Sequence, residues 1–346
     1  MGAPSMDQPV VCTFPLSFQW QVVDPFLFCV HHLDTYPAAN GNLGPAASLE
    51  GRDIGQDFEG KDGWRMYHGD SVPGFPRHPH RGFETVTFVR RGLVDHSDSM
   101  GATARYGRGD VQWMTAGAGV VHSEMFPLLD NDAPNTTELF QIWINLPAAD
   151  KMADPFFAMF WDADIPRHIV TDDAGRRTEI TVVAGAVEGV TPLAPPPASW
   201  AAKPDSDLAI WHLDFEPGAT WTMPPAAGGM STSRVLYLYE GSSLSIGERV
   251  VPAPEAAVVM GHLPMSLTAG DGGVKALLLQ GKGIGEPVAQ WGPFVMNDRD
   301  GVVQAMEDYR ATGFGGWPWG SDDPVHGADP TRFALRPDGS RETAPQ

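Results

Sequence analysis

Short apolar runs, cut at close intervals by glycine and proline, constrain the fold of this chain more than any other feature. Residues 15–147 contain runs such as FLFCV, TVTFV, DVQWM and FQIWINLP, with breaks such as RRG, YGRGD and TAGAG between them. The 346 residues include 39 glycines and 32 prolines, which favours turns and short strands over long helices. Strands at this spacing are typical of an all-β sandwich or barrel.

A second region of the same style follows, with apolar runs from EITVVAGAVEG to VKALLLQG. A chain of 346 residues is longer than one core usually supports, so two domains are expected. We therefore predict two tandem β-barrels, at residues 15–147 and 179–313. Residues 148–178, which read as one or two helical turns, are predicted to connect them.

One segment has the pattern of a helix rather than of a strand. In DRDGVVQAMEDYRATG (298–313), Val302, Met306 and Tyr309 lie at helical spacing, and Gly313 can end the helix. The following residues, 314–346, are rich in Gly, Pro and Asp and are predicted to be an extended or disordered tail.

The charge and cysteine content exclude several classes of protein. The 43 acidic residues outnumber the 23 basic ones, and no basic run is present, so direct binding to nucleic acid is not expected. Two cysteines are too few for a disulfide framework. The first 51 residues contain no Lys or Arg, which argues against a secretory signal or transit peptide. No run of about 18 apolar residues predicts a membrane span, and we expect a cytoplasmic protein.

Two short motifs place metal-binding side chains at alternate positions. HPHRGFETV contains His78 and His80, and GAGVVHSEM contains His122 and Glu124. Residues two apart on a strand face the same side, so each motif presents a pair. One such pair is usually a satisfied polar pair, but two pairs favour a metal site. Three imidazoles and one carboxylate suit a redox-capable ion and leave coordination positions open for substrate.

The longer stretches around these motifs carry a specific resemblance. GFPRHPHRGFETVTFVRRG and GDVQWMTAGAGVVHSEM, with INLP and IGEPVAQWGPFVMN, resemble the pirin family of the cupin superfamily. The resemblance covers most of residues 20–313. It implies a pirin-like bicupin, an all-β protein of two tandem cupin barrels (double-stranded β-helices, or jelly rolls) with a C-terminal helix.

The resemblance also implies a ligand set in the N-terminal barrel. One mononuclear metal, Fe(II) first, with Mn, Ni, Cu, Co or Zn as alternatives, would be held by His78, His80, His122 and Glu124. Other cupins use a glutamate at the position of Glu84, which would here lie in the second coordination sphere. The C-terminal barrel has Met223 and prolines where a second His-x-His would be needed, so no metal is expected there.

Two functions follow from the resemblance. The first is an iron-dependent dioxygenase of the quercetin 2,3-dioxygenase type, in which Glu124 is the catalytic base and a flavonol-like aromatic and O₂ are the substrates. The alternative is a redox-sensing regulatory protein, a transcription cofactor or metabolic regulator, that binds a protein partner without turnover. A third reading is a degenerate cupin without metal.

Several further residues near the motifs are candidates for the pocket or the second coordination sphere. Besides Glu84, these are Trp113, Met114, Phe126, Gln141 and Trp143. His31 and His32 are adjacent, so they face opposite sides of a strand and cannot both point inward; we predict the surface or a rim for both, with one of them lining the pocket as the alternative. The isolated His212 and His262 read as satisfied histidines, and Arg81 as an ion-pair partner.

Overall fold

The computed structural model describes residues 9–345, which form 24 strands, one α-helix and four 3-10 turns. The strands in chain order are β1 (Val10–Pro15), β2 (Phe26–Tyr36), β3 (Gly74–His80), β4 (Phe83–Arg91), β5 (Leu93–Asp98), β6 (Thr103–Gly107), β7 (Val111–Thr115), β8 (Val120–Met125), β9 (Asn135–Asn145), β10 (Phe156–Phe160), β11 (Arg167–Thr171), β12 (Arg177–Ala184), β13 (Ala209–Phe215), β14 (Thr220–Met223), β15 (Thr232–Gly241), β16 (Ser243–Ile246), β17 (Arg249–Pro252), β18 (Glu255–Met260), β19 (Met265–Ala269), β20 (Val274–Lys282), β21 (Ala289–Trp291), β22 (Phe294–Met296), β23 (Phe333–Leu335) and β24 (Arg341–Thr343). The helix is α1 (Arg299–Thr312), and the 3-10 turns are Lys61–Gly63, Trp200–Ala202, Gly229–Ser231 and Gly313–Gly315.

The chain divides into two compact units. Val30–Ala163 and Glu286–Gln346 form the first, here called the N-terminal barrel. Its two main sheets have the strand orders β10-β7-β4-β9-β2 and β24-β23-β6-β5-β8-β3. Met1–Cys29 and Asp164–Gly285 form the second, here called the C-terminal barrel, with the orders β1-β18-β15-β20-β13-β12-β11 and β14-β19-β16-β17. The prediction of an all-β fold with two units built from β-sheets and one C-terminal helix is confirmed.

The division differs from the predicted boundaries in three places, because strand pairing rather than chain order decides it. The predicted connector contains β10, which pairs with β7, and β11, which pairs with β12. The helix α1 belongs to the unit that contains the N-terminal barrel, not to the C-terminal barrel. The predicted tail contains β23, which pairs with β6, so this segment is docked.

The helix begins and ends where its sequence indicates. The side chain of Asp298 accepts a hydrogen bond from the amide of Gly301 at 2.7 Å, which caps the first turn. Gly313 adopts a left-handed conformation with φ 57° and ends the helix. Within residues 9–345, no helix has the length and apolar character needed to cross a membrane.

The two barrels have different interiors. The C-terminal barrel is filled by one large apolar cluster that includes Trp211, Trp221 and Met265. The N-terminal barrel buries apolar side chains too, but it also buries histidines and carboxylates, among them His96, His122 and Glu124. Buried polar groups are costly unless they have partners, so the polar interior marks the N-terminal barrel as the candidate for a functional site.

Candidate metal centre

The pairing of two strands brings the predicted histidines together. Strand β3 runs antiparallel to β8, and His78 lies directly opposite His122. His80 follows two residues later on the same face of β3. Potential ligand atoms of the three side chains all lie within 4.8 Å of one another. The ring centroids are 4.4 Å apart for His78 and His122, and 4.8 Å apart for each of the other two pairs.

The hydrogen bonds of these rings leave lone pairs without a donor. His78 donates from Nδ1 to the carbonyl of Pro76 at 2.8 Å, so the proton is on Nδ1 and Nε2 keeps a free lone pair. The carbonyl of Pro293 accepts a hydrogen bond from the His80 ring. Nδ1 of His80 and both ring nitrogens of His122 are buried with no partner in the described part of the chain. Unpaired buried imidazole nitrogens fit a metal ion, which takes neutral histidine as a ligand.

Burial also keeps the three rings neutral. It lowers the pKa of His78 from its usual 6.5 to about 4. Burial, helped by the charge that each ring would bring to its neighbours, holds the pKa of His80 and of His122 well below the usual value. At neutral pH the three side chains are therefore unprotonated, which is the state that binds metal.

Glu124 lies near the histidines but is not part of their cluster. Its Oε1 is 2.8 Å from the hydroxyl of Thr87 and 3.3 Å from that of Tyr106, and its Oε2 accepts from Gln141 Nε2 at 3.4 Å. Burial raises the pKa of this carboxyl, against the opposing effects of His96 and of the Thr87 and Tyr106 hydroxyls. The role of Glu124 as the fourth ligand stays a prediction.

Two of the predicted pocket residues line the same side of the barrel as the cluster. Gln141 is opposite Thr87 in the pairing of β9 with β4, and Trp143 follows it two residues later. The rings of Trp143 and His80 have centroids 5.4 Å apart. Both Gln141 and Trp143 are half-buried, as is His78, so the cluster meets solvent on this side.

Glu84 and Trp113 lie elsewhere, which differs from the prediction that they belong to the pocket. Glu84 is an odd number of residues from Thr87 on β4 and therefore faces the other side of the sheet. There it accepts a hydrogen bond from Thr115 at 2.7 Å. Trp113 is opposite Val86 in the pairing of β7 with β4, so it shares that other side. Strand register, which the sequence did not reveal, decides the positions of both side chains.

Met114 and Phe126 are core residues rather than residues of an open pocket. Met114 is fully buried and packs with Ala116 and Val120. Phe126 is 2% exposed and packs in the apolar cluster of the N-terminal barrel. Its ring centroid is 6.0 Å from that of Phe75, whose ring centroid is in turn 6.4 Å from that of His78.

A fourth histidine, His96, was not predicted from the sequence. It lies opposite Glu124 in the pairing of β5 with β8, and its ring is 5.5 Å from that of His122. Its Nε2 donates to Asp98 at 3.0 Å, and both side chains are fully buried. The signal was present in the sequence as His-Ser-Asp, which has the same alternation as the two motifs.

His32 corrects the prediction that both adjacent histidines lie at the surface or a rim. It is 4% exposed, and its Nδ1 is 2.8 Å from the hydroxyl of Tyr67. That hydroxyl donates to Asp34 at 2.6 Å, which in turn pairs with Arg65 at 3.0 Å. His31 is half-buried and pairs with Glu138 at 3.1 Å. Strand β2 therefore contributes His32 and Asp34 to a hydrogen-bond network inside the protein.

Arg81 and His212, for which the sequence predicts no role in the metal site, have ion-pair or hydrogen-bond partners. Arg81 donates to Asp308 at 2.6 Å and to the carbonyl of Ala118 at 2.6 Å, as expected for an ion-pair residue. In the C-terminal barrel, His212 is 1% exposed and bonds to the hydroxyl of Tyr239 at 2.7 Å. The expectation that this barrel holds no metal stays a prediction.

Comparison with known proteins gives the family. The pirin family model matches residues 14–144, and the model of the pirin C-terminal cupin domain matches residues 210–315. The chain belongs to the pirin family. A Pseudomonas aeruginosa relative of this pirin, provisionally named quercetin 2,3-dioxygenase, is 37% identical over 237 residues, which are 68% of this chain and 78% of that protein.

A second relative agrees with this membership, and a solved structure has a similar fold. A pirin-like protein of Caulobacter vibrioides is 36% identical over 244 residues, or 70% of this pirin and 80% of that protein. The crystal structure of a quercetin 2,3-dioxygenase from Acinetobacter baumannii superposes with a TM-score of 0.68 at 23% identity, and covers 89% of this chain and 98% of that one. The structural likeness supports the fold.

Proposed function

We propose that this pirin is a metal-dependent dioxygenase of the quercetin 2,3-dioxygenase type, acting on a flavonol-like aromatic with O₂. The observation that carries the proposal is the cluster of His78, His80 and His122, in which three buried ring nitrogens of His80 and His122 have no hydrogen-bond partner among the described residues. These three side chains would hold the ion, Fe(II) in the first place, with Glu124 as the fourth ligand. When bound, such an ion supplies Lewis acidity and one-electron redox chemistry.

The side chains around the cluster fit a flat aromatic substrate. The rings of Trp143 and Phe83 are 4.4 Å apart and form an aromatic wall beside His80. Aromatic rings of a ligand bind such a wall by stacking or by edge contacts. Trp143 is half-buried, so one side of this wall is partly exposed to solvent.

Glu124 is suited to accept the proton of a substrate hydroxyl. Burial raises the pKa of its carboxyl, which makes the carboxylate a stronger base. Thr87 and Tyr106 hold Oε1, whereas Oε2 has a longer contact of 3.4 Å with Gln141. In this proposal Oε2 takes the proton while the two hydroxyls keep the carboxylate in place.

The test joins metal analysis to oxygen uptake. Purified wild-type protein, reconstituted with Fe(II), should retain the metal and consume O₂ when quercetin or a related flavonol is added. His122→Gln should weaken metal binding by at least about 10-fold, since even changes outside the first coordination sphere cost that much. His212→Gln is the matched control, because it removes an equally buried histidine from the C-terminal barrel.

Two results would contradict the proposal. Equal metal content in the wild type and His122→Gln would refute the site. Retained metal without oxygen uptake for any flavonol or related phenol would refute the dioxygenase and favour the regulatory alternative, which predicts redox cycling without turnover.

A further inference from the structure

The C-terminal segment that follows α1 crosses the sheet that carries the histidine cluster. Residues 316–345, here called the C-terminal strap, lie beyond the residues that the pirin C-terminal domain model matches. They belong to the same unit as the N-terminal barrel. The strap contacts β3 at one edge of this sheet, bonds to β5 and β6 in its middle, and forms the other edge itself as β23 and β24.

At one edge, the strap holds the strand that carries two of the histidines. β3 is the last strand of its sheet: β8 pairs with it along one side, and on the other side the segment around Tyr67 bonds to its first residue, Gly74. The amide of Arg77, the residue before His78, donates to the carbonyl of Asp322 at 2.7 Å. The Arg77 guanidinium also pairs with the Asp322 carboxylate at 3.2 Å. Edge strands fray readily, and these contacts restrain this one next to a ligand.

In the middle of the sheet, two ring nitrogens of the strap bond to the strands behind the site. Trp319 Nε1 donates to the carbonyl of Asp98 at 2.9 Å, and Asp98 lies opposite His122. His326 Nε2 is 3.0 Å from the hydroxyl of Thr103, which itself donates to the carbonyl of His96. The strap therefore reaches the backbone of β5 directly beside the cluster.

At the other edge, the strap is anchored by a buried ion pair and by strand pairing. Arg105 is fully buried, donates twice to Asp95 at 2.7 Å, and also donates to the carbonyl of Asp329. The amide of His326 donates to Asp95 at 2.8 Å. Beyond this point β23 pairs with β6. The anchor fixes the strap to the sheet independently of the site.

We propose that the C-terminal strap is a positioning element for the metal centre, which holds β3, β5 and β8 in the spacing that brings their histidines together. This inference rests on the proposed metal site. A metal site binds tightly when its ligands are already held in place, so loosening the supporting strands lowers affinity without removing a ligand. Trp319 and His326 are positioning residues in this account, since neither belongs to the cluster.

The experiment compares full-length variants that keep an aromatic ring at each position but remove its ring nitrogens. In Trp319→Phe/His326→Phe, the bonds to the Asp98 carbonyl and the Thr103 hydroxyl are lost. The control is Trp317→Phe, because Trp317 Nε1 donates to Ser321, which is within the strap. Cobalt(II) is the probe, since its visible spectrum reports ligand geometry while a competition titration gives its Kd.

The double variant should raise the Kd for cobalt by about 10-fold and alter the visible spectrum, whereas Trp317→Phe should leave both unchanged. A double variant that is less stable but has the wild-type Kd and spectrum would overturn the inference, because the strap would then be only structural. Failure of the wild type to bind cobalt would overturn the metal site itself, and the inference with it.

Discussion

The carboxylate of Glu124 differs from the imidazoles of the cluster in how far its hydrogen bonds are satisfied. The rings of His80 and His122 have nitrogens without partners among the described residues, whereas Glu124 is near two hydroxyls and an amide. The histidines are therefore ready for a metal as they stand. In the proposed function Glu124 is both the fourth ligand and the base, and its present hydrogen bonds are to protein groups. Glu84 is also a buried carboxylate, but it lies on the other side of the sheet. Comparing the two residues therefore separates the catalytic role of Glu124 from the effect of changing a buried carboxylate.

Replacing the base tests this at the level of one residue. Glu124→Gln keeps the size of the side chain but removes its ability to accept a proton, so kcat for flavonol-dependent oxygen uptake should fall by about 10²–10⁴-fold. Glu84→Gln should keep its metal content and leave kcat nearly unchanged. Oxygen-electrode assays of the two metal-loaded variants give the comparison, and equal losses of kcat would contradict the role of Glu124.

The strands determine the site through their register. A slip of one residue between β3 and β8 would turn the histidines to opposite faces of the sheet.

The turn that follows β3 has a backbone conformation and a close contact that require glycine. Gly82 has φ 84°, and a Cβ at this position would clash with the carbonyl oxygen of Val295. Only glycine allows the segment around β22 to approach the motif this closely.

A glycine replacement tests this constraint at the level of the element. Gly82→Ala should lower the free energy of unfolding by about 2–4 kcal/mol, because strain at positive φ adds to a steric clash with backbone. Gly101→Ala is the matched control, since Gly101 has φ 87° but no atom within 4 Å of the place that a Cβ would take. Its cost should be about 1 kcal/mol. Urea unfolding measures both, and equal losses would show that the close approach is not limiting.

Across the whole molecule, the buried histidines make stability depend on pH. The folded chain keeps His78, His80 and His122 neutral, with the pKa of His78 lowered to about 4. The unfolded chain protonates them near a pH of about 6.5. Their contribution to stability is therefore fully present above this pH and is lost as the pH falls from there towards the pKa of the folded state. Between these values the unfolded state binds more protons, so protonation favours unfolding.

The metal-free protein should show this dependence in a direct comparison. Each of the three histidines adds at most about 1.4 kcal/mol per pH unit to the slope of unfolding free energy between about pH 6.5 and about pH 4.5. His122→Gln should therefore have a shallower slope than the wild type over this range. Urea titrations at several pH values provide the slopes, and parallel curves for the two proteins would contradict the burial of neutral His122.

Much of the fold and half of the site could be predicted from the sequence, because the signals were local. Alternating apolar residues and turn-forming glycines predict strands whatever their partners are, and helical spacing with Gly313 predicted α1. The two His-containing motifs predicted the cluster, since residues two apart on a strand share a face and imidazole is recognisable as a metal ligand by residue type alone.

The tertiary structure decided what depends on pairing between distant segments. Register placed Glu84 and Trp113 on the other side of the sheet and brought His96 opposite Glu124. Hydrogen bonds between residues more than 200 positions apart in the sequence attach the C-terminal strap to the N-terminal barrel. Such contacts form because backbone groups at sheet edges and buried polar side chains need partners wherever in the chain those partners are, and no local pattern records that need.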